Sequence, residues 1–285
     1  NGFPTADVTE ADFLTLLRPL ATHPAARGLT DDAAVLGELV LTHDMLVEGV
    51  HFLPDDPPED VAWKLLAVNL SDLAAKGAKP VGVLLGYPLS DTDWDAAFVR
   101  GLAAALAYLD VPLLGGDTVT GPRVLSLTAI GRAAVAPSRS GALAGDALWV
   151  TGVIGCAGLG LRGDPEHLAA YRRPSPRLAE GQALAPIVHA MMDVSDGLLI
   201  DARRMAEASG LAVVIDLDAV PVAGERIAAV TAGDDYELLF ALPAEVEPPV
   251  AATRIGGLTA GSGLALRDAV GPVPLPERLG WQHGI

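Results

Sequence analysis

Two periods of apolar residues run along this chain. In ADFLTLLRPLA (11–21), EDVAWKLLAVNLSDLAAKGA (59–78) and DWDAAFVRGLAAALAYL (93–109) apolar positions recur every three or four residues, which predicts helices. ELVLT (38–42), VGVLLGYPL (81–89), VPLL (111–114) and RVLSLTAIGRA (123–133) read as strands. The small, polar, turn-prone stretch VAPSRSGALAGD (135–146) follows, and then the alternation restarts. ALWVTG is a strand, LAEGQALAPIVHA and LLIDARRMAEASG are helices, and AVVIDL, YELLFAL and TRIGGLTA are further strands. The pattern predicts a mixed α and β fold in two domains, residues 1–136 and 137–285.

Acidic residues fall at the ends of these elements. In LVLTHDMLVEGVHF (39–52), the two-residue period of a strand puts Val40, Thr42 and Asp44 on one face. A hydroxyl, a carboxylate and the intervening His43 carbonyl could serve one hard cation, whereas a capped loop with a solvated Asp is the ordinary alternative. In the next helix, Val61, Leu65, Val68 and Asp72 share a stripe, which puts an acid on an apolar face. Such an acid needs a metal or an ion pair, and Lys64 and Lys76 flank it. DVPLLGGDTVTG (110–121) places Gly115, Gly116 and Asp117 after a strand, where glycines allow close approach of phosphate; a Gly-Asp turn is the alternative. Asp31–Asp32 alone reads as a polar turn. MMDVSDGLL (191–199) puts Asp193 and Ser195 on one face of a strand end, with Ser195 or Asp196 able to cap the following helix. Capping leaves Asp193 unexplained, and five acidic turns at element ends are better explained together.

Charge narrows the partners. The net charge of −17 repels nucleic acid and anionic lipid, both of which are bound through clustered Lys and Arg. Hydrophobic residues make up 51% and charged ones 19%, enough for a buried core, and no apolar run reaches bilayer length. NGFPTADVTE lacks the basic and apolar regions of a secretion signal, and the single Cys156 excludes an internal disulfide. A cytoplasmic protein that binds neither nucleic acid nor membrane is expected. His23, His167 and His189 show no ligand spacing, RRPSPR reads equally as a rigid turn or a phosphate contact, and Cys156 reads as a packing residue.

The combined motifs DDAAV, THDMLVEGVHF, AVNLSDLAAKGAKP, LLGGDT, RSGA followed by GD, RRPSPR, DVSDGL, GDDYELLF and GWQH resemble those of thiamine-monophosphate kinases, in order and over residues 11–283. That family lies in the superfamily of aminoimidazole-ribonucleotide synthetase-like (PurM-like) ATP-using enzymes. The resemblance implies two α/β domains, a homodimer joined through the first domains' sheets, and a cleft that binds ATP and several Mg²⁺ ions. It implies in-line transfer of phosphate from ATP to thiamine monophosphate, the last step in making thiamine diphosphate. By position, it implies Mg²⁺ ligands at Asp32, Thr42, His43 (through its backbone), Asp44, Asp72, Asp117, Asp193 and Asp196. Gly116, Asp117, Arg139 and Ser195 match nucleotide contacts, and His51, Asp234 and Trp281 match positions that hold thiamine phosphate. Asp44, Asp72, Asp117 and Arg139 are the expected catalytic set. The acceptor phosphate, with a second pKa near 6, is largely ionised at neutral pH, so no strong general base is required. Four departures stand out: Thr30 where a glycine is usual, His43 for a common Thr, Asp234 for a usual Glu, and Gly284 for an aromatic. Another synthetase of the superfamily, or a non-catalytic nucleotide-binding protein with a decayed site, are the rival readings.

Overall fold

The computed structural model describes residues 9–282. Two mixed sheets, each flanked by helices, account for the α/β pattern. The first contains β1 (Ala34–Leu36), β2 (Leu39–Val47), β3 (Lys79–Leu89), β4 (Leu113–Thr120) and β5 (Val124–Arg132), in the order β1-β2-β5-β3-β4. The second contains β6 (Ala147–Thr151), β7 (Ala190–Asp193), β8 (Ala212–Asp216), β9 (Leu238–Leu242), β10 (Ala252–Thr259), β11 (Gly263–Arg267) and β12 (Pro272–Val273), in the order β12-β11-β8-β10-β6-β9-β7. Residues 133–146 between the sheets carry no regular element.

Helices α1 (Glu10–Leu17), α2 (Pro58–Ala75) and α3 (Thr92–Leu109) belong to the first half. The second half holds α4 (Cys156–Leu161), α5 (Leu168–Arg172), α6 (Leu178–Leu184), α7 (Leu198–Ala208) and α8 (Arg226–Val230). Helix α2 is the hinge of the architecture. One side packs on β2, β5 and α3, and the other meets α5, α6 and β7. Its buried residues therefore run around the helix, from Val61 and Leu65 to Leu73 and Ala75, and include Lys64, Asn69 and Ser71. A helix covered on both sides cannot send its polar side chains to water, so each must find a partner inside.

The first sheet is covered on one face only. Val40, Thr42 and Leu46 of β2 and Leu125, Leu127 and Ala129 of β5 are buried beneath α2 and α3. On the opposite face His43, Met45 and Leu84 are exposed, and every residue of edge strand β4 is exposed, including Leu113, Leu114 and Val119. By contrast β6, β7 and β9 of the second sheet are buried at every position.

Two local expectations change. GGD does not turn: β4 continues from Leu113 through Gly115, Gly116 and Asp117 to Thr120, parallel to β3. A Cβ at Gly116 would sit 1.9 Å from the Leu85 carbonyl oxygen, so the glycine is required by strand pairing. Neither Ser195 nor Asp196 caps α7. The carboxylate of Asp201, one turn inside the helix, accepts the backbone N–H groups of Asp196 and Gly197 at 3.0 and 3.1 Å. No helix among the described residues is long and apolar enough to cross a membrane.

Candidate active site

A cavity of about 830 Å³ opens between the two halves. Asp44 of β2, Asp72 of α2 and Asp193 at the end of β7 line it, together with Ser195 and Asp196 just beyond. His51, Asp234 and Trp281 line the same cavity. Each acid is carried in by an element end or a strand face. Thr42 and Asp44 share the covered face of β2, and Asp193 is the last residue of a buried strand. Trp281 is held beside Asp196 by its own N–H, which donates to the Asp196 carbonyl at 2.8 Å.

The acids crowd one another. Asp32, Asp72 and Asp193 each place a carboxylate oxygen within 4.8 Å of the others. The Thr42 hydroxyl donates to Asp72, and Ser71 donates to Asp193 at 2.5 Å. Asn69 accepts the Asp44 N–H at 3.0 Å and so fixes β2 against α2. Burial, then the charges of Asp32 and Asp196, push the Asp44 carboxyl up to about 6. Burial, then Asp32, push Asp193 up to about 7, against the Ser71 hydrogen bond. Asp72 rises well above the ordinary carboxylate range through burial and the charges of Asp44, Asp193 and Asp32.

Asp32 behaves oppositely. Burial opposes its ionisation, but Lys76, 2.7 Å away, and Arg139, bonded directly to it, hold its carboxyl far below the usual range. Lys76 also pairs with Asp31 at 2.5 Å, and Arg27 with Asp31 at 2.5 Å. Sequence spacing paired Lys64 and Lys76 with Asp72; neither goes there. Lys76 serves the 31–32 pair, and Lys64 pairs with Asp234 at 2.7 Å.

Not every expected residue converges. His43 points to the open face of the first sheet, where its Nδ1 lies 2.8 Å from the Thr128 hydroxyl, so only its backbone stays near Thr42 and Asp44. Arg139 reaches the acids from behind Asp32, outside the cavity lining. Gly116 and Asp117 do not join. The pairing register runs Met45–Ser126–Gly86–Asp117 across the sheet, three strands and about 14 Å from β2. Thr30 takes φ −122, where glycine has no advantage, and its hydroxyl donates to the Arg27 carbonyl at 2.9 Å. Asp234, at φ +69, lines the cavity despite its shorter side chain. Gly284 lies outside the described residues.

Sequence reasoning missed Ser71 and Tyr236 in the supporting set, and placed Lys64 and Lys76 beside Asp72 without finding their actual partners. A signal existed for Ser71, since a polar side chain in an otherwise apolar helix must have a partner in the interior. Tyr236 bonds to Asp234 at 3.0 Å and had no such signal.

An all-oxygen set of crowded carboxylates and hydroxyls suits a hard divalent cation of the Mg²⁺ kind, whose charge would offset the repulsion that raises these pKa values.

Comparison with known proteins gives the same direction. Residues 30–133 match the N-terminal domain of AIR synthase related proteins and residues 144–267 their C-terminal domain. The thiamine-monophosphate kinase of Caulobacter vibrioides is 40% identical, covering 98% of this chain and 92% of that one. That of Salmonella typhimurium is also 40% identical, covering 76% of each. The solved structure of AaThiL complexed with AMPPCP and TMP superimposes with a TM-score of 0.88 at 28% identity, covering 97% of both chains. The chain therefore belongs to the thiamine-monophosphate kinases, a family of enzymes within the AIR-synthase-related proteins.

Proposed function

We propose that this chain transfers the terminal phosphoryl group of ATP to thiamine monophosphate, giving thiamine diphosphate and ADP, with Mg²⁺ bound by its acid cluster. One observation carries the reading: a single cavity is lined at once by the acids Asp44, Asp72 and Asp193, the last two crowded against Asp32, and by His51, Asp234 and Trp281. The structural relative complexed with AMPPCP and TMP supports both substrates.

In this reading Asp32, Thr42, the His43 backbone, Asp44, Asp72, Asp193 and Asp196 would hold Mg²⁺, whose charge would offset that of the two anionic substrates and of the transferring group. The chain's own work is alignment. Ser195 and Arg139 bear on the nucleotide phosphates, Arg139 from its position against Asp32. His51 accepts the Val47 N–H on Nδ1 at 3.0 Å, which leaves Nε2 as the donor nitrogen of the neutral ring. Trp281 offers an aromatic face to the cationic thiazolium. An acceptor phosphate already ionised at neutral pH needs no base, so the in-line attack depends on position and charge alone.

Residues 1–136 are assigned to metal, nucleotide and dimer contacts, and residues 137–285 to further nucleotide and acceptor contacts. The one-sided first sheet suits a homodimer, with its open face and the exposed edge β4 as the docking surface. A second copy is also the way for Gly116 and Asp117 to reach the acids. Beyond Leu41, β2 has β5 as its only strand partner among the described residues, so its other edge can lie beside the β4 of that copy.

An end-point assay tests the reaction. Purified protein with ATP, Mg²⁺ and thiamine monophosphate is expected to form thiamine diphosphate, measured by chromatography, and to form none without Mg²⁺. A folded protein that binds Mg-ATP yet makes no thiamine diphosphate overturns the acceptor and, with it, the roles of His51, Asp234 and Trp281.

A further inference from the structure

Lys64 sits in the middle of α2 with only 2% of its surface exposed, and the reaction outlined above gives it no task. Its ammonium group is fully engaged. It donates to the His51 carbonyl at 2.9 Å and to Asp234 Oδ2 at 2.7 Å, and it lies 4.3 Å from the centre of the Tyr171 ring. These three partners belong to separate segments: the loop after β2, helix α5, and the loop before β9. Two of them come from the second half of the chain, so one buried charge ties both halves together around the cavity.

The contacts converge on the acceptor side. Asp234 Oδ1 accepts from Tyr236 at 3.0 Å while Oδ2 is taken by Lys64, so both oxygens are oriented by the protein itself. The Asp234 backbone is in the left-handed region at φ +69, and its N–H donates to the Ser195 carbonyl at 2.7 Å. A non-glycine residue keeps such a conformation when its surroundings over-determine it. On the other side, Tyr171 bonds to Asp56 at 2.8 Å, and Asp56 accepts the Leu53 N–H at 2.8 Å, which closes the His51 loop onto α5.

We propose that Lys64 is a positioning residue for acceptor recognition, fixing Asp234 and the His51 loop at one separation through a single buried ammonium. The proposal deepens the kinase reading and rests on it. Lys64 touches none of Asp44, Asp72 or Asp193 by ion pair, so its removal should leave the nucleotide and metal side in place.

Steady-state kinetics with each substrate varied in turn test this. Lys64→Met keeps the aliphatic stem and removes the charge. The KM for thiamine monophosphate is expected to rise about tenfold, equivalent to about 1.4 kcal/mol, with the KM for ATP changed by less than about twofold. In an Asp234→Asn background the same substitution should add less than about twofold, because the lysine acts through that carboxylate. Lys64→Arg, which keeps the charge and a buried donor, should raise the acceptor KM by less than Lys64→Met does; if the Met variant does not fold, the Arg variant alone must still show the acceptor-selective rise. Equal rises in both KM values, or no rise in either, would overturn the role of Lys64 while leaving the kinase reading standing. A wild-type protein that makes no thiamine diphosphate overturns both.

Discussion

Two groups of buried carboxylates lie within a few ångströms of each other in this protein, and they are treated in opposite ways. Asp31 and Asp32 are enclosed with Lys76, Arg27 and Arg139, and the carboxyls of both lie below the ordinary range. Asp44, Asp72 and Asp193 are equally enclosed but form no ion pair among the described residues, and all three are raised. Burial is common to both groups, so burial does not explain the difference; the placement of cations does. The chain neutralises the first group itself: Asp31 serves the fold, while Asp32, whose carboxylate also lies within 4.8 Å of Asp72 and Asp193, joins the acid cluster already ionised. It leaves the second group to be neutralised from solution, by protons or by a divalent cation, which suits a binding site and weakens the apo protein.

The sharpest break of that comparison is a matched pair of substitutions. Asp72→Asn is expected to cut turnover about a thousandfold, the several kcal/mol that metal-held charge stabilisation supplies. Thermal melting in a chelator should meanwhile stay level or rise, since one repelling carboxylate has gone. A melting temperature that falls instead would mean that Asp72 is a structural acid. Asp31→Asn should do the reverse, costing about 3 kcal/mol in urea unfolding because Lys76 and Arg27 lose their shared partner.

Asp117 extends the contrast to a second copy. Three strands from β2 in its own sheet, it can serve the site only across a dimer. Asp72→Asn and Asp117→Asn homodimers should both be inactive. Mixed by refolding together, they should regain about a quarter of wild-type turnover, because half the dimers are mixed and one of their two sites is intact. No recovery would place Asp117 outside the site. A smaller effect separates metal from proton. Mg²⁺ at about a hundred times its Kd should add about 2.7 kcal/mol to wild-type stability and much less to the Asp72→Asn variant.

How much of this was readable beforehand follows from what each signal depends on. Thr42 and Asp44 on one strand face, and Asp72 on a helix stripe, follow from local periodicity and were legible. The resemblance supplied the grouping of distant acids that periodicity cannot give. The destination of Lys64 and Lys76 was not legible. Lys64 stands on the same helix as Asp72 and Lys76 caps its C-terminal end, so spacing set both beside it, whereas the fold brings Asp31, Asp32 and Asp234 from other segments nearer to their ammonium groups. The extension of β4 through GGD was missed for a related reason. Glycines signal a turn locally, and only the approach of β3 shows that Gly116 is there to let two strands pair.

Asp235 supplies a third case, and the smallest test. It forms no ion pair among the described residues; its carboxylate accepts the N–H groups of Gly155 and Ala157 at 2.7 and 3.2 Å at the start of α4. Burial pushes it up to about 7 despite those bonds, with Glu237 and Asp234 adding repulsion. The sign follows from linkage. Between its ordinary value and about 7 the folded protein keeps a proton that the unfolded chain has released, so stability falls as pH rises through that window and levels off above it. The loss attributable to this one group should be about 1 kcal/mol per pH unit. Asp235→Asn keeps an acceptor for one of the two N–H groups and cannot ionise; the lost bond is a pH-independent offset, so its urea midpoint relative to wild type should climb from about pH 4 to about pH 7 and then stay flat. Parallel curves for the two proteins would show that backbone donors alone can hold a buried carboxylate ionised. In that case the missing cations would not account for the raised values of Asp44, Asp72 and Asp193, and the contrast with Asp31 and Asp32 would need another cause.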